Sequence, residues 1–153
     1  IIYVALPFSL IIVMAMRGGT YNYEIVLGSL LLLWASDIGG YFAGTNFGKR
    51  KLFERISPKK SWEGAMGSAA FAALIAFVLG HYFRTFEPWK WYCIGGIIVV
   101  VGTYGDLVES LFKRSIAIKD SGNSIPGHGG FLDRFDGLLL SAPFIVTFLK
   151  LFS

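Results

Sequence analysis

Charge is scarce in this chain and cysteine scarcer still. Only 16% of the 153 residues are charged while 54% are hydrophobic, against about 25% charged in an ordinary soluble domain. With a mean hydropathy of +0.60, the composition argues against a water-soluble domain of this size and makes a bilayer the expected solvent. The single cysteine, Cys93, excludes an intrachain disulfide and any multi-cysteine zinc site, and leaves the redox compartment open. By itself it is a small apolar residue near a helix end. No internal repeat, low-complexity tract or heptad pattern is present. A cleavable signal peptide is a poor reading of "IIYVALPFSLIIVMAM", which has neither a basic n-region nor a small-residue cleavage site; the expectation is a membrane span with a clipped start. The first residue is Ile rather than Met, so the expectation is that residues 1–153 form the C-terminal, membrane-embedded part of a longer protein.

Five apolar stretches are present, at 1–16, about 25–45, about 65–83, about 92–112 and about 137–152. Judged against the ~20 residues that cross the hydrocarbon, they predict an all-α, polytopic membrane bundle of about five transmembrane helices. The terminal stretches are short, and a helix beginning near Gly130 would complete the last one. The net charge of +4 raises nucleic acid as a partner, but the distribution of the basic residues argues against it. Arg17 stands alone after the first stretch, six basic residues lie in 46–64, two in 81–91, four in 113–136, and Lys150 closes the series. Ten of fourteen thus fall in the second and fourth connections, which the positive-inside rule places in the cytoplasm. The expected topology starts inside and ends outside. The two motif-bearing segments, "SPKKSWEG" and "KDSGNSIPGHGGFLDRFD", then face one compartment, where basic residues meet phosphates and anionic headgroups.

Against this background Asp37, Asp106 and Glu109 are conspicuous, because an ionised carboxylate costs roughly 2.5 kcal/mol or more near the centre of a membrane helix. Either each lies close enough to the boundary to be hydrated or each has a partner. Asp106 and Glu109 are three apart, on one helical face, and Glu109 precedes Lys113 by four. Asp133 and Asp136 repeat the three-residue spacing beyond a short connection. Two uses fit. These acids could pair with Lys113, Arg114 and Arg134, or they could hold a metal beside a phosphate-binding loop. Oxygen ligands without a Cys or His cluster suit Mg²⁺ or Mn²⁺ better than zinc.

In the connection, Gly127, Gly129 and Gly130 follow Pro126, and a helix starting near Phe131 would offer its free amides to phosphate. Most such turns only connect, and a lone His128 is commonly a hydrogen-bonding loop residue. In the other basic segment, Lys59 and Lys60 stand directly before Ser61, where Ser61-Trp62-Glu63 is a candidate helix start. Lys59 and Lys60 are either cytoplasmic anchors, with Trp62 in the aromatic belt, or contacts to triphosphate or lipid phosphate.

The segment "SLFKRSIAIKDSGNSIPGHGGFLDRFD", Ser110 to Asp136, resembles without departure the signature of the phosphatidate cytidylyltransferases, also called CDP-diacylglycerol synthases. "WASDIGGYFAGTNFGKRK" around Asp37 and "ISPKKSWEG" from Ile56 to Gly64 fit the same family. The resemblance covers essentially the whole chain and corresponds to the C-terminal catalytic part of a longer polytopic enzyme of the bacterial cytoplasmic membrane, its site facing the cytoplasm. It implies transfer of the cytidylyl group of CTP to phosphatidate with Mg²⁺ (or Mn²⁺), no nucleic acid, and a homodimer. Under it Asp106, Asp133 and Asp136 are metal ligands, and Lys113, Arg114, Lys119 and Arg134 neutralise phosphate oxygens. Asp37 and Glu109 orient the basic residues or complete the metal shell. Lys59, Lys60, Ser61, Gly129 and Gly130 contact substrate, and His128 positions either a phosphate or the cytidine. Two rivals differ in chemistry: a membrane CTP-dependent polyprenol or phytol kinase, which transfers the γ-phosphate to an alcohol, and an ion-coupled transporter, which needs acids near mid-membrane.

Overall fold

A computed structural model describes residues 2–16, 21–53, 57–115 and 136–152. Among the described residues five helices carry the fold: α1 (Ile2–Ala15), α2 (Tyr23–Phe47), α3 (Trp62–Tyr82), α4 (Pro88–Ser115) and α5 (Asp136–Leu151). The expected helical membrane bundle is therefore found. Three helices, α2, α3 and the Pro88–Val108 part of α4, are long and apolar enough to cross a membrane, whereas α1 and α5, with 14 and 16 residues, are shorter. Between α2 and α3 the basic connection is a β-hairpin rather than a plain loop. β1 (Lys51–Phe53) pairs antiparallel with β2 (Ser57–Ser61), placing Lys51 opposite Ser61 and Phe53 opposite Ser57.

Local chemistry sets the helix ends. Asn22 caps α2, its Oδ1 accepting from the Glu24 amide at 2.9 Å. Ser61 caps α3, its Oγ accepting from the Gly64 amide at 3.1 Å, so the expected helix start is present. Pro88 opens α4, where its missing N–H is no loss.

Packing follows membrane rather than aqueous rules: large apolar side chains lie outside and small ones within. On α3, Met66, Leu74 and Phe77 are exposed, while Gly64, Ala72 and Ala76 are buried. Against α2 the backbones come close. A Cβ on Gly67 would lie 2.5 Å from the Gly39 carbonyl oxygen, and Ser68 Oγ donates to the Ser36 carbonyl at 2.8 Å. At the opposite end the core is bulkier. Trp91 is fully buried and fills the space that Gly28 leaves free, with Ile25, Leu32, Ile94 and Ile98 around it.

The bundle therefore has two distinct ends. At one, Asn22 and Glu24 meet Thr85, which donates to the Glu24 carboxylate through both its hydroxyl and its amide, and Lys90 Nζ donates to the Phe152 carbonyl oxygen at 2.8 Å. At the other lie the hairpin, the start of α3, and the contact between Gly102 on α4 and Gly137 on α5. α4 ends with Ser115 and α5 begins with Asp136.

Candidate active site

A cavity of about 240 Å³ opens at the hairpin end between α2, α3, α4 and α5. Its wall carries two carboxylates, Asp37 from α2 and Asp106 from α4, and one ammonium, Lys60 from β2. Around them stand small residues: Ser36, Gly40 and Gly44 of α2, Ser61 at the start of α3, Gly64 and Ser68 within it, and Gly102 and Thr103 of α4. Leu33 and Ile98 add apolar surface. Glycine and serine at these positions bring the helices together while leaving the space between them open.

Lys60 is the pivot of the geometry. Its Nζ donates to Asp106 Oδ2 at 2.7 Å and to the Thr103 carbonyl oxygen at 3.1 Å, joining residues 46 and 43 positions apart. With 25% of the Lys60 side chain and 40% of the Asp106 side chain exposed, the pair is neither fully desolvated nor freely hydrated. The hairpin that holds Lys60 is itself fixed. Glu63 accepts from the backbone amides of Lys49 and Arg50 at 3.2 Å each, and the Trp62 amide donates to the Arg50 carbonyl at 3.0 Å. Charged residues in this segment thus have two separate uses: Glu63 secures the backbone and Lys60 reaches into the cavity.

Four of the residues singled out in the sequence, Asp37, Lys60, Ser61 and Asp106, come together here. Asp37 does not lie at a helix end. It is ten residues before the end of α2, about 15 Å along the axis at ~1.5 Å per residue, and is exposed at the cavity. Ser61 is buried, and its cap bond makes it part of the site's framework. Lys59 lies in β2, and Glu109, Lys113 and Arg114 lie in α4, but their side chains are outside the described residues. Asp136 is the first residue of α5, described as backbone only, next to Gly137, which lines the cavity. Lys119, His128, Gly129, Gly130, Asp133 and Arg134 lie outside the described residues.

Among the described residues no three His, Cys, Asp or Glu side chains form a metal-holding group. The donor chemistry that is described, carboxylates and hydroxyls at one open cavity, fits a hard divalent cation rather than zinc. The pairing expected as the alternative use of the acids is present with a different partner, since Asp106 bonds Lys60. The sequence reading also overlooked Ser36, Gly40, Gly44, Ser68, Gly102 and Thr103. The spacing of small residues, Gly40-x3-Gly44 against Gly64-x3-Ser68, was the available signal.

Comparison with known proteins gives the same direction. Over 129 residues the chain is 44% identical to a phosphatidate cytidylyltransferase of Haemophilus influenzae, covering 81% of this chain and 45% of that protein. Over 134 residues it is 40% identical to one from Bacillus subtilis, covering 87% and 50%. A third, from Mycobacterium leprae, is 43% identical over 122 residues, covering 80% and 39%. The chain thus spans half or less of the length of these curated relatives. The profile of the cytidylyltransferase family matches residues 1–152, so the chain belongs to that family.

Proposed function

We propose that the protein to which this chain belongs transfers the cytidylyl group of CTP to phosphatidate, giving CDP-diacylglycerol and pyrophosphate for phospholipid synthesis. The observation that carries the reading is the cavity at the hairpin end of an apolar bundle, lined by the Lys60–Asp106 ion pair and by the carboxylate of Asp37. The names of the relatives favour nucleotidyl transfer over the kinase and transporter readings.

The reaction places few demands on acid–base chemistry. A phosphate monoester is already an anion at neutral pH, so its attack on the α-phosphorus requires no strong base. The difficulty is to bring two anions together and to neutralise the charge that builds on the departing pyrophosphate. Lys60 supplies positive charge at the cavity wall, and Lys113, Arg114, Lys119 and Arg134 would add more from the α4–α5 segment, arginine by paired N–H contacts to phosphate oxygens. The small residues on α2 and α3 leave room for the polar substrate. Asp106, with Asp133 and Asp136, would hold Mg²⁺ or Mn²⁺, which when bound supplies Lewis-acid neutralisation of phosphate oxygens. Asp37 and Glu109 would orient the cations or complete that shell.

The proposal places the hairpin end in the cytoplasm, since the basic residues around the hairpin lie at that end, and CTP is found in the cytoplasm. It also carries the homodimer that the resemblance implies, which the mass of the detergent-solubilised parent protein tests. The function itself is tested with that parent protein, phosphatidate, Mg²⁺ and CTP labelled in the cytosine ring. Label entering lipid with equal release of pyrophosphate is the expected result, and Asp106→Asn should lower the rate at least about a hundredfold with the fold retained. Label retained in water, with phosphate from γ-labelled CTP appearing on a prenol, would replace the proposal by the kinase.

A further inference from the structure

Lys60 holds the carboxylate that the metal would need. Its ammonium bonds Asp106 Oδ2 at 2.7 Å and the Thr103 carbonyl oxygen at 3.1 Å, and both acceptors belong to α4. These acceptors differ in kind. The carboxylate is a charged ligand open to exchange, whereas the Thr103 carbonyl belongs to the helix backbone and stays where it is. The root of Lys60 is equally fixed, because the next residue, Ser61, is the buried cap of α3 and the hairpin is secured by Glu63. A flexible four-carbon stem thus carries a mobile charge between fixed points.

We infer that Lys60 is the resident counter-cation of Asp106 when no divalent cation is bound, and that Asp106 exchanges the ammonium for the divalent ion. This rests on the reading of Asp106 as a metal ligand. Lys60 supplies the positive charge that Asp106 bonds at the edge of the cavity. On exchange the ammonium keeps its Thr103 contact and loses its carboxylate, so it regains the capacity to bind an anionic phosphate in the same cavity. Metal binding and phosphate binding then favour each other, because the first releases the positive charge that the second uses. The partial exposure of both side chains makes the exchange feasible, since solvent screens the pair and a fully buried one would be far harder to open.

The test is direct titration of Mn²⁺, followed by electron paramagnetic resonance, on the full-length protein in detergent with neither CTP nor lipid present. Lys60→Met should tighten Mn²⁺ binding by about three- to tenfold, the range expected for a half-exposed, hydrogen-bonded ion pair. Lys60→Gln should do the same and decides the matter if the Met variant does not fold. Lys51→Met removes an equal charge from the same hairpin without a contact to Asp106, and should leave the affinity unchanged. Unchanged or weaker Mn²⁺ binding in the Lys60 variants overturns the exchange, as does an equal gain in Lys51→Met, which would reveal a general field effect. Asp106→Asn should weaken binding strongly. If it does not, the metal reading falls and the exchange with it, whereas loss in Asp106→Asn with no gain in the Lys60 variants removes the exchange alone.

Discussion

Gly67→Ala gives the sharpest test of how the cavity wall is built. A Cβ at Gly67 would lie 2.4 Å from the Ala43 Cβ and 2.5 Å from the Gly39 carbonyl oxygen. Ordinary contact begins near 3.4 Å, so α2 and α3 must separate locally by about 1.0 Å to relieve the 2.4 Å contact. Neither neighbour can turn aside, because one is a backbone carbonyl and the other a methyl with no rotamer. Overpacking of this sort costs about 1–3 kcal/mol, and the better helix propensity of alanine offsets up to ~1 kcal/mol of it. A net loss of about 1–2 kcal/mol lowers Tm by about 2–8 °C in a protein of this size.

Thermal unfolding in detergent, followed by tryptophan fluorescence, measures it. Gly96→Ala is the control: nothing lies within 4 Å of a Cβ there, so the propensity gain stands alone and Tm should hold or rise. If Gly67→Ala matches or exceeds the parent Tm, the backbones of α2 and α3 are not in contact at this point and the argument for the small-residue wall fails. Activity should fall further than stability, because the separation shifts Gly40 and Ser68, which line the cavity.

The other expectations are simpler. Ser61→Ala removes the cap of α3 and should cost about 1 kcal/mol in thermal unfolding, with Ser61→Asp restoring most of it. Glu63→Ala frees the Lys49 and Arg50 amides, so hydrogen exchange there should quicken and the KM for CTP should rise as Lys60 loses its fixed root. Thr85→Val removes the hydroxyl that joins Asn22 and Glu24 at the far end of the bundle. It should lower stability by about 1 kcal/mol and leave the KM for CTP unchanged, a contrast that separates the two ends by function.

The sequence made the architecture legible because membrane constraints are strong: long apolar runs mark the spans, and the alternation of basic residues shows which connections share an end. Ser61 was legible as a helix start because a cap is a local signal. The Lys60–Asp106 pair was not, since 46 residues separate the partners and their meeting depends on a hairpin that turns Lys60 towards α4. That hairpin itself escaped notice because "KLFERISPKKS" lacks the Asn-Gly or Asp-Gly turn that marks short hairpins. The cavity-lining glycines and serines were obscured for the opposite reason. Small residues at spacing of four mark helix contact anywhere in a membrane bundle, and only the positions of Asp37 and Asp106 show that this contact also borders a site.

The depth of Asp37 links the two halves of the proposed chemistry. A carboxylate about 15 Å inside a membrane helix is costly unless water or a partner reaches it, and the cavity from the hairpin end provides that access. A lipid phosphate is tethered near the bilayer surface by its acyl chains, whereas CTP arrives from water. On the proposed function, a recess lined by Leu33 and Ile98 as well as by Lys60 would take the lipid headgroup at its own depth while the nucleotide came from the aqueous end. On this account the small residues of α2 and α3 make room, and the basic hairpin supplies the charge. The proposed need to join a membrane-bound anion to a soluble one accounts for the concentration of most of the basic residues of so apolar a chain in two connections.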